Sequence, residues 1–350
     1  MLKRLKSISM LTIVLVISLF LFGACAENKT VVESYEGASK VEVQGTQIYV
    51  DGEAFCIKGV CWNPVPKGGS HPEDLNFVDF AEIDSQLMSE AGINVVRTYE
   101  ALTDKKVLDI LYSKGIYVIN TVYIYGGNSV ETAVDNVNLV KDHPAILMWC
   151  LGNEWNYNGL YVNDSFDVCI NKINEAAALI KAEDSVHPTA TVYGGIPDEN
   201  TINQIPDIDI WGLNVYGGLN FGSTFNAWAK QSDKPMFMAE YGADAWDTSQ
   251  ESLNLKAQAY ATRVLTEELM ENSSADNADN VCLGGTIFEF ADEWWKDSNG
   301  SPSEQDAGGI APGMGPYPDN TFNEEYWGIC DIDRNTRPAY DELKKLFIDD

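Results

Sequence analysis

The chain has 350 residues, with 53 acidic side chains against 23 Lys and Arg and a net charge of −30. So acidic a surface repels nucleic acid and anionic lipid, and favours a neutral substrate over a polyanionic one. Apart from Cys25, six cysteines without CxxC spacing and only three histidines form no zinc-ligand pattern, so no metal and no cofactor is expected.

In chain order, Lys3, Arg4 and Lys6 precede an apolar run from Met10 to Phe22. That run is shorter than the ~20 residues of a membrane span, and reads as a secretory signal. Phe22-Gly23-Ala24-Cys25 resembles a bacterial lipoprotein cleavage box. It predicts a leader over residues 1–24, a lipidated Cys25, a polar tether over 25–40, and an exported product that is lipid-anchored or secreted. Ordinary signal cleavage near Ala26 is the alternative. The remaining residues, 41–350, are long enough for one large α/β barrel domain.

Val41-Glu42-Val43 and Gln47-Ile48-Tyr49-Val50 alternate around Gly45 and predict a short hairpin under the domain. A strand-then-helix rhythm follows. Apolar runs at Cys56–Trp62, Asn94–Tyr99, Ile116–Tyr123, Ile146–Leu151, Ala190–Tyr193, Ile208–Val215, Met236–Tyr241 and Leu283–Phe290 give eight strands. Between them, Phe80–Ala91, Lys105–Lys114, Val130–Lys141, Phe166–Ala182, Asp198–Gln204, Thr224–Lys230 and Leu253–Glu271 are helical in period or position, and Ala339–Phe347 adds a last helix. Near-continuous apolar strands alternating with helices predict a parallel sheet buried on both faces. No GxGxxG follows an early strand, so a closed (β/α)8 TIM barrel fits better than an open sheet. Ala291 to Arg337 is a long Gly-, Pro- and Asp-rich segment carrying several aromatics, expected to fold over the barrel mouth. Within it, Asp331-Ile332-Asp333-Arg334-Asn335 mimics a calcium loop but lacks the required glycine and is read as chance.

Two strand ends carry the chemistry. Trp149-Cys150-Leu151-Gly152-Asn153-Glu154-Trp155 and Met236-Phe237-Met238-Ala239-Glu240-Tyr241-Gly242 each finish an apolar run on a glutamate. A carboxylate costs several kcal/mol to desolvate unless paired or hydrogen-bonded, so two at strand tips point to a catalytic pair. Active sites of such barrels lie at the carboxyl ends of the strands. Arg97, Asn214, Tyr216 and Glu289 close other strands and join the expected site. Trp62, Tyr123, Trp155, Trp294 and Trp295 fall at strand ends or in top loops, where aromatic faces could stack on sugar rings.

The pattern resembles glycoside hydrolase clan A, the retaining β-glycosidases built on this barrel. Leu151-Gly152-Asn153-Glu154 is similar to the strand-four motif whose glutamate is the acid/base. Ala239-Glu240-Tyr241-Gly242-Ala243-Asp244-Ala245 is similar to the nucleophile segment of family 2 enzymes, β-glucuronidases in particular. No stretch ahead of the barrel reads as the family 2 β-sandwich domains, so the lone-barrel layout of families 5, 17 and 72 is nearer. The resemblance implies Glu240 as nucleophile, Glu154 as acid/base, Arg97 and Tyr216 as partners of Glu240, and Asn153 on the sugar 2-hydroxyl. It implies hydrolysis of a neutral β-linked glucan or oligosaccharide, with β-1,3-glucan the best guess. Transglycosylation on the same intermediate, or a non-catalytic carbohydrate-binding lipoprotein, are the alternatives. The expected partner is carbohydrate, with membrane contact only through a lipid at Cys25 and a monomer assumed.

Overall fold

The computed structural model describes residues 37–296, 300–309 and 317–349. The leader, Cys25 and most of the tether lie outside them. No described helix is long and apolar enough to cross a membrane.

Eight parallel strands close into a barrel: Ile57–Cys61, Val95–Arg97, Tyr117–Tyr123, Ile146–Asn153, Thr189–Gly194, Ile210–Asn214, Met236–Tyr241 and Cys282–Ile287. The last pairs with the first, Gly284 opposite Ile57 and Ile287 opposite Val60, which completes the cylinder. These are the eight strands expected, shifted at their ends by a few residues. All eight residues of Ile146–Asn153 are buried, as a strand flanked on both faces must be.

The alternation of side chains sorts the core into two layers. Ile57, Val95, Ile119, Met148, Cys150, Phe237 and Ala239 fill the barrel interior together with Val41, Ile48 and Val50 of the N-terminal strands. Val60, Val96, Val118, Trp149, Leu151, Met236 and Met238 face outward and pack on the helices. The expected hairpin is a three-stranded antiparallel sheet, Glu53–Ala54 adding a short third strand to Val41–Gln44 and Gln47–Val50.

The helices start where side chains cap them. Asp104 accepts from the backbone N–H of Lys106 ahead of Lys105–Ser113, and Asp198 from Thr201 ahead of Glu199–Gln204. Asn76 and Asn254 do the same for Phe77–Glu90 and Leu255–Glu271. Asn76 lies upstream of the apolar period that begins at Phe80, so the first helix starts three residues earlier than expected. Pro338 occupies the first turn of Pro338–Lys344, where its missing N–H costs nothing.

The segment after the eighth strand is closed by ion pairs. Arg337 at its end grips Asp292 at its start through both guanidinium nitrogens, one at 2.8 Å. Asp292 also accepts from the N–H of Gly328 and the amide of Gln305. Arg334 grips Asp84 of the first helix at 2.9 and 3.1 Å. Arg334 belongs to the calcium-loop mimic, whose arginine thus serves as a clamp.

Candidate active site

Simple alternation would turn both key strand ends outward. Leu151 faces the helices, so Asn153, two residues on, would follow it; Met238 faces the helices, so Glu240 would as well. Each strand instead carries a register shift at that step, between Leu151 and Asn153 and between Met238 and Glu240. Such irregularities re-aim a side chain, and here they swing Asn153 and Glu240 into the barrel mouth. Glu154 follows in a left-handed conformation with φ 47°. That kink costs a non-glycine residue roughly 1–3 kcal/mol, and such strain is concentrated at functional sites. Gly152 before it has φ 71°, and a side chain there would strike Trp155 at 2.8 Å.

A continuous hydrogen-bond web joins the two carboxylates. Glu240 accepts from Arg97 Nη1 at 2.9 Å and Tyr99 at 2.7 Å on one oxygen, and from Tyr216 at 2.9 Å on the other. Arg97, wholly buried, reaches with its second nitrogen to Asn153 Oδ1 at 2.7 Å. Asn214 donates to Glu154 Oε1 at 3.0 Å and lies 3.3 Å from Asn153 Oδ1. The Asn153 amide nitrogen keeps only a long contact of 3.3 Å to the Tyr161 hydroxyl, leaving donor capacity facing the cleft.

The two carboxylates sit in opposite electrostatic settings. Three donors, one a guanidinium, stabilise a negative charge on Glu240. Burial, then the nearby charge of Glu240, lifts the Glu154 carboxyl to about 7, against a smaller opposing effect of the Asn214 hydrogen bond. Burial and the neighbouring Glu240 also hold the Tyr216 hydroxyl well above its ordinary value, and burial does the same for Tyr99. Both phenols therefore remain proton donors to Glu240. Lys296 is paired with Glu293 at 3.2 Å and Glu324 at 3.5 Å. Burial pulls its ammonium down, but these carboxylates with Glu289 and Glu240 hold it well above the ordinary lysine value. The cleft over this web has a volume of about 950 Å³ and is lined by aromatics that include Tyr99, Tyr125, Tyr216, Phe288 and Trp327. Among the described residues, no group of three or more His, Cys, Asp or Glu is spaced to hold a metal ion.

Residues 125–292 match the TIM-barrel domain of glycosyl hydrolases family 2. The closed eight-stranded barrel of this chain is thus similar to that of the family 2 enzymes. A β-glucuronidase of Paenibacillus borealis is 24% identical over 292 residues, covering 73% of this chain and 46% of that protein. A β-galactosidase of Pseudoalteromonas haloplanktis is 27% identical over 164 residues, 40% of this chain and 15% of the relative. Among solved structures, a family 2 β-galacturonidase from Eisenbergiella tayi bound to galacturonate superposes with a TM-score of 0.62 at 18% identity. It covers 88% of this chain and 54% of that one. A Faecalibacterium prausnitzii β-glucuronidase gives 0.62 at 20%, covering 89% and 52%. The chain thus spans about half the length of these β-glucuronidases and the β-galacturonidase, and a smaller share of the β-galactosidase.

In this barrel, Asn153, Glu154, Asn214, Tyr216, Glu240 and Trp295 all line the cleft. Other expected contacts lie elsewhere. Trp62 shares the outward face of Val60, packs on Phe77 and donates its indole N–H to Asp84 at 2.9 Å. Trp155 is buried between Phe166 and Tyr193 with its N–H on Thr191. Tyr123 joins the barrel–helix layer because a register shift follows Thr121. These three are core aromatics rather than sugar platforms. Trp294 lies under the Lys67 ammonium, outside the cleft lining. Glu289 is buried away from the cleft surface, where burial and then Glu293 hold its carboxyl well above the usual range. Arg97 too is sealed from the cleft and reaches it through Glu240, Asn153 and Tyr99.

Tyr99 was not among the sequence candidates. Its place two residues after Arg97 on the second strand end was the available signal. Asn63, which donates to Glu293 at 2.8 Å, and Phe322 and Trp327 of the long segment also line the cleft.

Proposed function

We propose that this protein is a retaining β-glycoside hydrolase acting on a neutral β-linked glycan. The observation that carries the reading is the pair of differently held carboxylates: Glu240 gripped by three donors, and Glu154 bound by the Asn214 amide in a buried setting that lifts its carboxyl to about 7. A neutral Glu154 beside an ionised Glu240 is the division of labour that double displacement needs.

A Glu240 oxygen attacks the anomeric carbon while Glu154 gives its proton to the glycosidic oxygen, and the bond to the leaving group breaks. Asn153 donates to the 2-hydroxyl, a bond that strengthens in the oxocarbenium-like transition state. With Glu240 now esterified, the charge that raised Glu154 is gone. Glu154, ionised, takes a proton from water, which attacks the anomeric carbon and releases Glu240.

Charge supports a neutral sugar. Beside a protonated Glu154, the carboxylates of Glu240, Glu293 and Glu324 line the cleft against one lysine among the described lining residues, Lys296, whose charge is already shared between Glu293 and Glu324. A uronate carboxylate entering this mouth meets a surplus of like charge. In this respect the chain differs from what the names of its β-glucuronidase relatives describe. β-1,3-Glucan, the substrate expected from the sequence, stands first among those to assay.

The decisive experiment is Glu240→Ala with added azide. The variant is expected to lose turnover and to regain it with azide, giving a glycosyl azide of inverted anomeric configuration. Wild-type activity in Glu240→Ala would overturn the assignment. A product profile over β-glucans, mannan, and neutral and uronic aryl glycosides then fixes the sugar, with uronides expected to be the poorest.

A further inference from the structure

Three residues beyond Glu154, on the single turn Trp155–Asn158, Tyr157 stands 74% exposed at the cleft wall. An exposed tyrosine is unremarkable alone, but this one has a built seat. A side-chain carbon added to Gly194 would lie 2.2 Å and 2.5 Å from two ring carbons of Tyr157, so the ring rests directly on glycine backbone. Asn156 fixes the same contact by bonding Gly194 twice, donating to its carbonyl at 3.1 Å and accepting from its N–H at 2.9 Å. One face of the ring is supported and the other is open.

A second pair of rings lines the same cleft. Tyr161, 49% exposed, packs against Tyr125 at 5.6 Å between centroids, and both line the cleft. Leu160, Tyr161 and Asn163 all have positive φ, between 51° and 60°. Three such residues within four positions are held by bonds from outside: Gly126 N–H to Leu160 O at 2.9 Å, and Lys172 to both Gly126 O and Asp164. A segment kept strained in order to present a tyrosine fits a binding role better than a packing one.

We propose that Tyr157, with Tyr161 and Tyr125, forms a stacking subsite for the leaving-group part of a β-linked oligosaccharide. The side follows from chemistry. Glu154 protonates the glycosidic oxygen, so the departing sugar lies on the side of Glu154, and Tyr157 belongs to the turn that begins there. A cleft of about 950 Å³ is far larger than one hexose requires and lies near the top of the range for ligand pockets, roughly 300–1,000 Å³. Sugar rings present an apolar face of C–H bonds, which tyrosine covers while leaving the hydroxyl edges in water. The preferred substrate is therefore a glycan chain rather than a simple glycoside. This rests on the hydrolase reading above and adds the substrate's length to it.

The test compares a β-linked trisaccharide with the β-glycosyl fluoride of the same sugar, whose leaving group has no ring to stack and needs no proton. Tyr157→Ala is expected to lower kcat/KM for the trisaccharide about tenfold more than for the fluoride, chiefly through KM. Tyr157→Phe keeps the wild-type ratio within about twofold, since the ring remains. Gly194→Ala, which leaves Tyr157 in place but removes its seat, shifts the ratio in the same direction as Tyr157→Ala. An unchanged ratio in Tyr157→Ala, or equal losses on both substrates, overturns the subsite while leaving the hydrolase reading intact. A wild-type protein that turns over neither substrate overturns both.

Discussion

Two sets of buried arginine–carboxylate contacts divide the molecule by function. Behind the long segment, Arg337–Asp292 and Arg334–Asp84 are two-pronged and complete: Asp292 also takes Gly328 and Gln305, and Asp84 also takes the indole of Trp62. At the mouth, Arg97 spends one nitrogen on Glu240 and the other on Asn153. Glu240 then collects two phenols and still faces the cleft. A carboxylate saturated by protein donors has nothing left to offer a ligand. One whose partners stabilise its charge while leaving an approach open suits the nucleophile's role proposed for Glu240. Even the complete pair is no simple reserve of stability, because burial, despite Arg337, leaves the Asp292 carboxyl at about 6.

The contrast can be broken experimentally. Glu240→Ala should lose on the order of 10⁴-fold or more in kcat/KM with little change in unfolding midpoint, measured on the best substrate of the panel. Asp292→Ala should do the reverse: it strands a buried guanidinium and costs about 3–5 kcal/mol in urea unfolding. If Asp292→Ala impaired turnover without loss of stability, the division between clamp and site would fail. Tyr99→Phe deletes one hydrogen bond to a charged group, roughly 1.5–3 kcal/mol, so kcat/KM should fall between about 10- and 100-fold. Smallest is the effect of pH. With Glu154 required in its protonated form, kcat/KM should decline about tenfold per pH unit above about 7. Glycosyl fluorides, which need no proton, should escape that decline, and a falling limb shared by both substrates would point to another group.

The barrel was legible because its strands are buried on both faces, which leaves unbroken apolar runs such as Ile146 to Leu151. The carboxylates were legible because each ends such a run. What alternation alone could not supply was direction. Trp62 shares the outward face of Val60, and this was readable from the period of two; Tyr123, Asn153 and Glu240 were not, because each follows a register shift that only tertiary packing fixes. Tyr99 and Tyr123 both end apolar strands, and the sequence alone does not separate the one that touches Glu240 from the one that packs on the helices. Tyr157 gave no signal, since its meaning depends on Gly194, a residue of the neighbouring strand.

The clamp between Asp292 and Arg337 also bears on how such a protein diversifies. It ties together the two ends of a span that supplies Trp295, Lys296, Phe322, Glu324 and Trp327 to the cleft, while the reacting carboxylates come from other strands. Part of the cleft lining is thereby carried on a piece of chain separate from Glu154 and Glu240. Exchange of residues 293–336 between homologous barrels, with the two clamp residues kept, becomes a route to new sugar preferences on an unaltered catalytic core.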